Sequence, residues 1–134
     1  MPKLTDPLTL RSGATLKNRF VLAPLTNLQS APDGVLSDDE YKWLTMRAEG
    51  GFGLTMTCAA SVQEEGLGFP GQLGCHDDKH LPGLTRLAAG IKARGSHAVV
   101  QIHNSGMRAL KREGMNLMCP SDNEEFGAKA MTLD

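Results

Sequence analysis

An α/β fold built on parallel strands is what the order of apolar segments in this 134-residue chain predicts. Three observations carry that expectation. Strand-length apolar runs at residues 19–23, 53–60 and 98–102 alternate with two helical patterns, and this spacing requires parallel strands joined by right-handed crossovers. The first run has no polar residue between Phe20 and Ala23, as in strands buried on both faces. Each run then ends on groups suited to a ligand: Pro24 and Thr26, Cys58 and Ala59, Gln101 and His103. Parallel strands bring these ends to one rim, where α/β proteins bind their ligands.

The elements follow in order. Leu8-Thr9-Leu10 and Ala14-Thr15-Leu16 read as a small hairpin turned at Gly13. The first main strand must stop at Pro24, which has no N–H to give to a ladder. Ser37-Asp38-Asp39-Glu40 reads as a capping box that opens a helix, with Tyr41, Leu44 and Ala48 at helical spacing and Gly50-Gly51 as its stop. The acidic first turn suits the positive end of the helix dipole. A second buried strand, a glycine-rich and acidic loop over residues 63–79, and a second helix from about His80 come next. Pro82 is tolerated in that helix's first turn. Leu84, Leu87, Ala88 and Ile91 form its apolar stripe, and Lys92, Arg94 and Gly95 mark its end. Thr132 and Asp134 carry the N-cap signal of a further helix.

Composition narrows the function classes. With 40% hydrophobic and 22% charged residues the chain reads as one soluble globular domain over residues 1–134. No apolar run approaches the ~20 residues of a spanning helix, and the first residues lack a signal peptide's apolar core. The expectation is a cytoplasmic protein with no membrane partner. A net charge of −1 and few aromatics leave no footprint for nucleic acid, and Arg108, Lys111 and Arg112 read as a solvated face. Cys58, Cys75 and Cys119 read as reduced thiols, and Cys58 as a buried inert one. Cys75-His76-Asp77-Asp78-Lys79-His80 matches no zinc spacing, so no metal is expected and Asp77 or Asp78 is assigned to capping or loop bracing.

The segments Arg19-Phe20-Val21-Leu22-Ala23-Pro24-Leu25-Thr26, Gly53-Leu54-Thr55-Met56-Thr57-Cys58-Ala59-Ala60, Pro70-Gly71-Gln72-Leu73-Gly74 with Asp77-Asp78, and Gln101 occur in an order and at a spacing that resembles the Old Yellow Enzyme family. These are FMN-dependent NAD(P)H:flavin oxidoreductases, or ene-reductases. The resemblance runs along nearly the whole chain and implies the N-terminal part, about three β/α units, of a TIM (β/α)8 barrel. It implies FMN as cofactor, NADH or NADPH as reductant and a small activated alkene such as an enone as substrate. By the same resemblance Ala23, Pro24, Leu25 and Thr26 lie along the flavin ring, with the Thr26 hydroxyl near the flavin C4 carbonyl. Ala59 offers a backbone contact and Gln101 an amide for the pyrimidine edge. An amide carries both a donor and an acceptor, as that edge requires. The protein orients the flavin, which supplies the hydride chemistry.

The chain departs from the family pattern in two places. Asn104 stands where a histidine is expected, with Arg108 one place late, and Leu28 stands where some members have a substrate-facing tyrosine. Both bear on substrate preference. The resemblance further implies that the pair polarising the substrate carbonyl and the proton-donating tyrosine lie beyond this segment, so no catalytic residue is assigned within it. A barrel takes eight β/α units and ~250 residues. The chain is therefore expected to be incomplete and inactive alone, needing a C-terminal part, a complementary chain or a second copy. The rivals are a dihydroorotate-dehydrogenase-like or dihydrouridine-synthase-like flavin barrel, and a non-catalytic module whose exposed strand edges pair with a partner.

Overall fold

The computed structural model describes residues 1–132; the helix signal at Thr132 runs into residues 133–134 and lies outside the described residues. Strands β1 (Leu8–Thr9) and β2 (Thr15–Leu16) form the expected antiparallel hairpin. Its turn is closed by the Gly13 N–H on the Leu10 carbonyl, with Gly13 at φ +85°, a region open to glycine at little cost.

The centre is a three-stranded parallel sheet in the order β3-β4-β5, from β3 (Val21–Leu22), β4 (Leu54–Ser61) and β5 (His97–His103). Helix α1 (Asp38–Glu49) connects the first pair of strands and α2 (Leu81–Lys92) the second. The core lies between the helices and the middle strand: Leu36, Leu44, Ala48, Cys58, Ala60, Leu73, Leu87 and Ile91 are buried together, with Leu22, Leu84 and Ala98 packed around them. Of the predicted α2 stripe, Leu87 and Ile91 are buried and Leu84 packs against the cluster.

Two expectations need correction. Residues 20–23 are not buried on both faces: Phe20 is 42% and Val21 46% exposed. Among the described residues β3 is an edge strand with only two paired residues and the core lies on one side of it, so Leu22 packs against the core while Val21 and Ala23 are exposed. The capping box is also only half made. The Ser37 hydroxyl accepts from the Glu40 N–H at 3.1 Å, but the Glu40 carboxylate turns inward and is fully buried.

After β5 the chain forms a feature the sequence did not announce. Strands β6 (Met118–Cys119) and β7 (Lys129–Ala130) pair in parallel, over a second small core of Ala109, Leu117, Cys119 and Ala128. Nor is the basic stretch simply solvated. Arg112 reaches Glu64 at 3.3 Å and Arg108 lies over the Phe126 ring.

Candidate active site at the strand ends

The rim is shaped by a one-residue irregularity in β4. Thr55 pairs with Ala98 and Met56 with Val99, but Ala59 pairs with Gln101, so β4 spends one more residue than β5 over this stretch. Such a bulge reverses which face the following side chains take. Ala98 belongs to the helix-covered face, and Gln101, three residues on, takes the other. Thr55 and Ala59 are four apart and would share a face in a regular strand. The bulge instead sets Ala59 beside Gln101, away from the helices, and turns Cys58 toward α1. Thr57 makes the bulge possible: its hydroxyl accepts the Gln101 N–H at 3.2 Å and donates to the Cys58 carbonyl at 2.7 Å.

Leu22 and Thr55 are ladder partners, and Thr26 lies four residues beyond the one as Ala59 lies four beyond the other. Since the strands are parallel, Pro24, Leu25, Thr26, Ala59 and Gln101 all belong to the C-terminal rim of one sheet. Leu25 is 61% exposed, Ala23 and Thr26 are exposed, and Pro24 and Gln101 are half-buried. Among the described residues neither the Thr26 hydroxyl nor the Gln101 side-chain amide has a protein partner. A donor–acceptor amide and a hydroxyl left open at one rim, beside the small Ala59, suit a flat heterocycle with alternating N–H and C=O groups.

The loop after β3 is held in an unusual shape. Leu28 has φ +56°, in the left-handed region that disfavours side chains other than glycine. Asn27 Oδ1 accepts the Gln29 N–H at 3.3 Å, and Ser30 N–H donates to the Gly71 carbonyl at 3.2 Å. Beyond Leu28 opens a groove of about 570 Å³, mostly apolar, with Leu28, Leu67, Phe69 and Leu110 among its lining and Ser30, Gln72 and Arg112 as polar members.

Sequence reasoning missed two residues here. Gln72, 1% exposed, donates to His103 Nδ1 at 3.2 Å and accepts the Gly68 N–H at 2.8 Å. It thereby fixes the ring at the end of β5, with the ring proton left on Nε2. Its place in the Pro70–Gly74 segment is visible in the sequence, but its hold on His103 is not, because that partner is 31 residues away. Glu40, which the sequence assigns to the capping box, lies at i with Leu44 at i+4 and Ala48 at i+8, so the helical period alone places it on the buried stripe.

Electrostatics support inert thiols. The Cys58 thiol is pushed up to about 12, by burial first and then by the neighbouring Glu40, so it stays protonated and unreactive at neutral pH. Burial also raises Cys75. Asp77 caps the 3-10 turn at Asp78–His80, and the Lys79 N–H it accepts lowers its carboxyl. This is the bracing role expected of it.

The family model described as NADH:flavin oxidoreductase / NADH oxidase matches residues 3–133. A protein named as a probable NADH-dependent flavin oxidoreductase of Bacillus subtilis is 40% identical, over 96% of this chain and 36% of its own length. The Old Yellow Enzyme of Pichia sp. AKU4542 superposes with TM-score 0.84 at 26% identity, over 97% of this chain and 38% of that one. Morphinone reductase in complex with tetrahydroNAD superposes with TM-score 0.83 at 26% identity, over 96% and 35%. The chain therefore spans about a third of the length of each of these proteins. The chain belongs to the NADH:flavin oxidoreductase / NADH oxidase family, the FMN-dependent group that includes the Old Yellow Enzymes.

Proposed function

We propose that this chain forms the first three β/α units of a TIM-barrel flavoenzyme and supplies the wall against which FMN lies. The observation that carries the reading is the pairing of Ala59 with Gln101 across the β4 bulge, with Thr26 on the same rim. Held against this wall, FMN would supply the hydride chemistry between NADH or NADPH and an activated alkene. The chain's own residues bind and orient. The Gln101 amide would hold the pyrimidine edge, the Thr26 hydroxyl would face the C4 carbonyl, and residues 23–25 and 59 would give an apolar seat.

The groove lined by Leu28 and Phe69 would take the apolar part of the alkene and keep water from it. Leu28, in place of a tyrosine, leaves that wall without a phenol, so selection there is by apolar fit. The groups that polarise the substrate carbonyl and deliver the proton belong to the remaining two thirds of such a barrel.

FMN titration tests the reading. The 134-residue chain alone is expected to bind FMN weakly and to oxidise no NAD(P)H. Grafted onto the remaining two thirds of the Bacillus subtilis relative, it is expected to give an FMN-loaded protein, with affinity reduced in Gln101→Ala. Tight binding with NAD(P)H oxidation by the chain alone would refute the division of labour. A flavin-free graft, or Gln101→Ala without effect, would refute the site.

A further inference from the structure

The buried carboxylate of Glu40 has no part in the site as drawn above, yet its three side-chain partners all border that site. Asn27 Nδ2 donates to Oε1 at 3.4 Å, Cys58 Sγ donates to Oε1 at 2.8 Å and Ser30 Oγ donates to Oε2. Asn27 follows Thr26 directly, and Cys58 directly precedes Ala59. A fully buried carboxylate is expensive unless its lone pairs are satisfied, and packing alone would be served equally by an apolar residue in this core.

The tie matters because little else holds residues 24–30. Among the described residues their backbone makes one hydrogen bond to another segment, Ser30 N–H to the Gly71 carbonyl. That bond reaches the far end of the loop, whereas Glu40 reaches the residue next to Thr26. The carboxylate also grips the residue that the β4 bulge turns inward. One side chain on α1 thus spans the two strand ends.

We propose that Glu40 is a positioning residue for the flavin-binding rim: by accepting from Asn27, Ser30 and Cys58 it fixes the Thr26 segment against Ala59 at the separation a flavin ring needs. The inference rests on the FMN reading above and adds to it a residue that touches neither flavin nor substrate. Glutamine in its place keeps the volume but can receive fewer of the three donors.

The test is an FMN titration of the full 134-residue chain followed by amide ¹H–¹⁵N shifts, a readout that registers weak binding. Wild type, Glu40→Gln and Gln101→Ala are compared, with amide exchange measured in the absence of FMN. The expected result is that Glu40→Gln weakens FMN about tenfold. Exchange should quicken at Gln29 and Ser30 and at residues 58–59 while the α2 amides stay as protected as in wild type, a local pattern that a general structural role would not give. If Glu40→Gln does not fold, Asn27→Ala takes its place. It removes one half-buried donor and is expected to weaken FMN severalfold. Unchanged FMN affinity and exchange in Glu40→Gln, alongside a weakened Gln101→Ala, would overturn the positioning role and leave the FMN reading standing. Absence of FMN-induced shifts at Thr26, Ala59 and Gln101 in wild type would overturn the FMN reading, and this inference with it.

Discussion

Replacing Gly71 with alanine probes the contact on which the shape of the Leu28 loop depends. Gly71 has φ +69°, and a Cβ there would lie 2.7 Å from the Leu28 carbonyl oxygen and 3.0 Å from its carbon. Both neighbours are backbone, so neither can swing aside as a flexible side chain would. Left-handed backbone costs an alanine about 1–2 kcal/mol. Separating the loops also stretches the Ser30–Gly71 hydrogen bond, worth about 1 kcal/mol. The expected loss is about 2–3 kcal/mol in urea unfolding, with the amide resonances of Leu28 and Ser30 displaced. Gly13→Ala is the control. Its φ is +85°, but nothing lies within 4 Å of the new Cβ, so only the conformational cost of about 1–2 kcal/mol applies and the Leu28 loop should be untouched. Equal losses in the two variants, with Leu28 and Ser30 undisturbed in both, would show that the clasp between the loops is not what the distances imply.

Ser37→Ala removes the one side-chain bond that caps α1 and should cost about 1 kcal/mol. The change should appear as fraying at the start of α1 in amide exchange. For Cys58, the folded value of about 12 lies above the unfolded 9.0, so between those pH values the folded state holds a proton that the unfolded state has lost. Stability therefore falls as pH rises through that window. The advantage of wild type over Cys58→Ala should shrink by about 1.4 kcal/mol per pH unit there, as read from denaturant midpoints. An advantage that is flat with pH would mean that the thiol is not buried against Glu40.

The parallel sheet, both helices and the hairpin were legible because each depends on local pattern: apolar runs of strand length, the stripe through Leu87 and Ile91, and turn residues at Gly13 and Gly50. The exposure of Phe20 and Val21 was not, because burial depends on how many neighbours a strand has and not on its own composition. The bulge was hidden for a similar reason. Thr57 looks like any strand threonine until its hydroxyl is seen to receive the Gln101 N–H from another strand. The motif around Gln72 was visible, but its hold on His103 comes from a residue 31 positions away. The burial of Glu40 was legible: the Ser37 motif assigns it to a cap, but its spacing to Leu44 and Ala48 points it inward. The ribbon of β6 and β7 is too short for periodicity to register.

A crystal structure of the protein with FMN bound would bear most directly on the placement of the flavin. The ring should lie on the C-terminal rim of β3, β4 and β5, its pyrimidine edge on the Gln101 amide and its flank against Ala59 and residues 23–26. Flavin found at the N-terminal ends of the strands, or on the helix-covered face of the sheet, would contradict that placement outright.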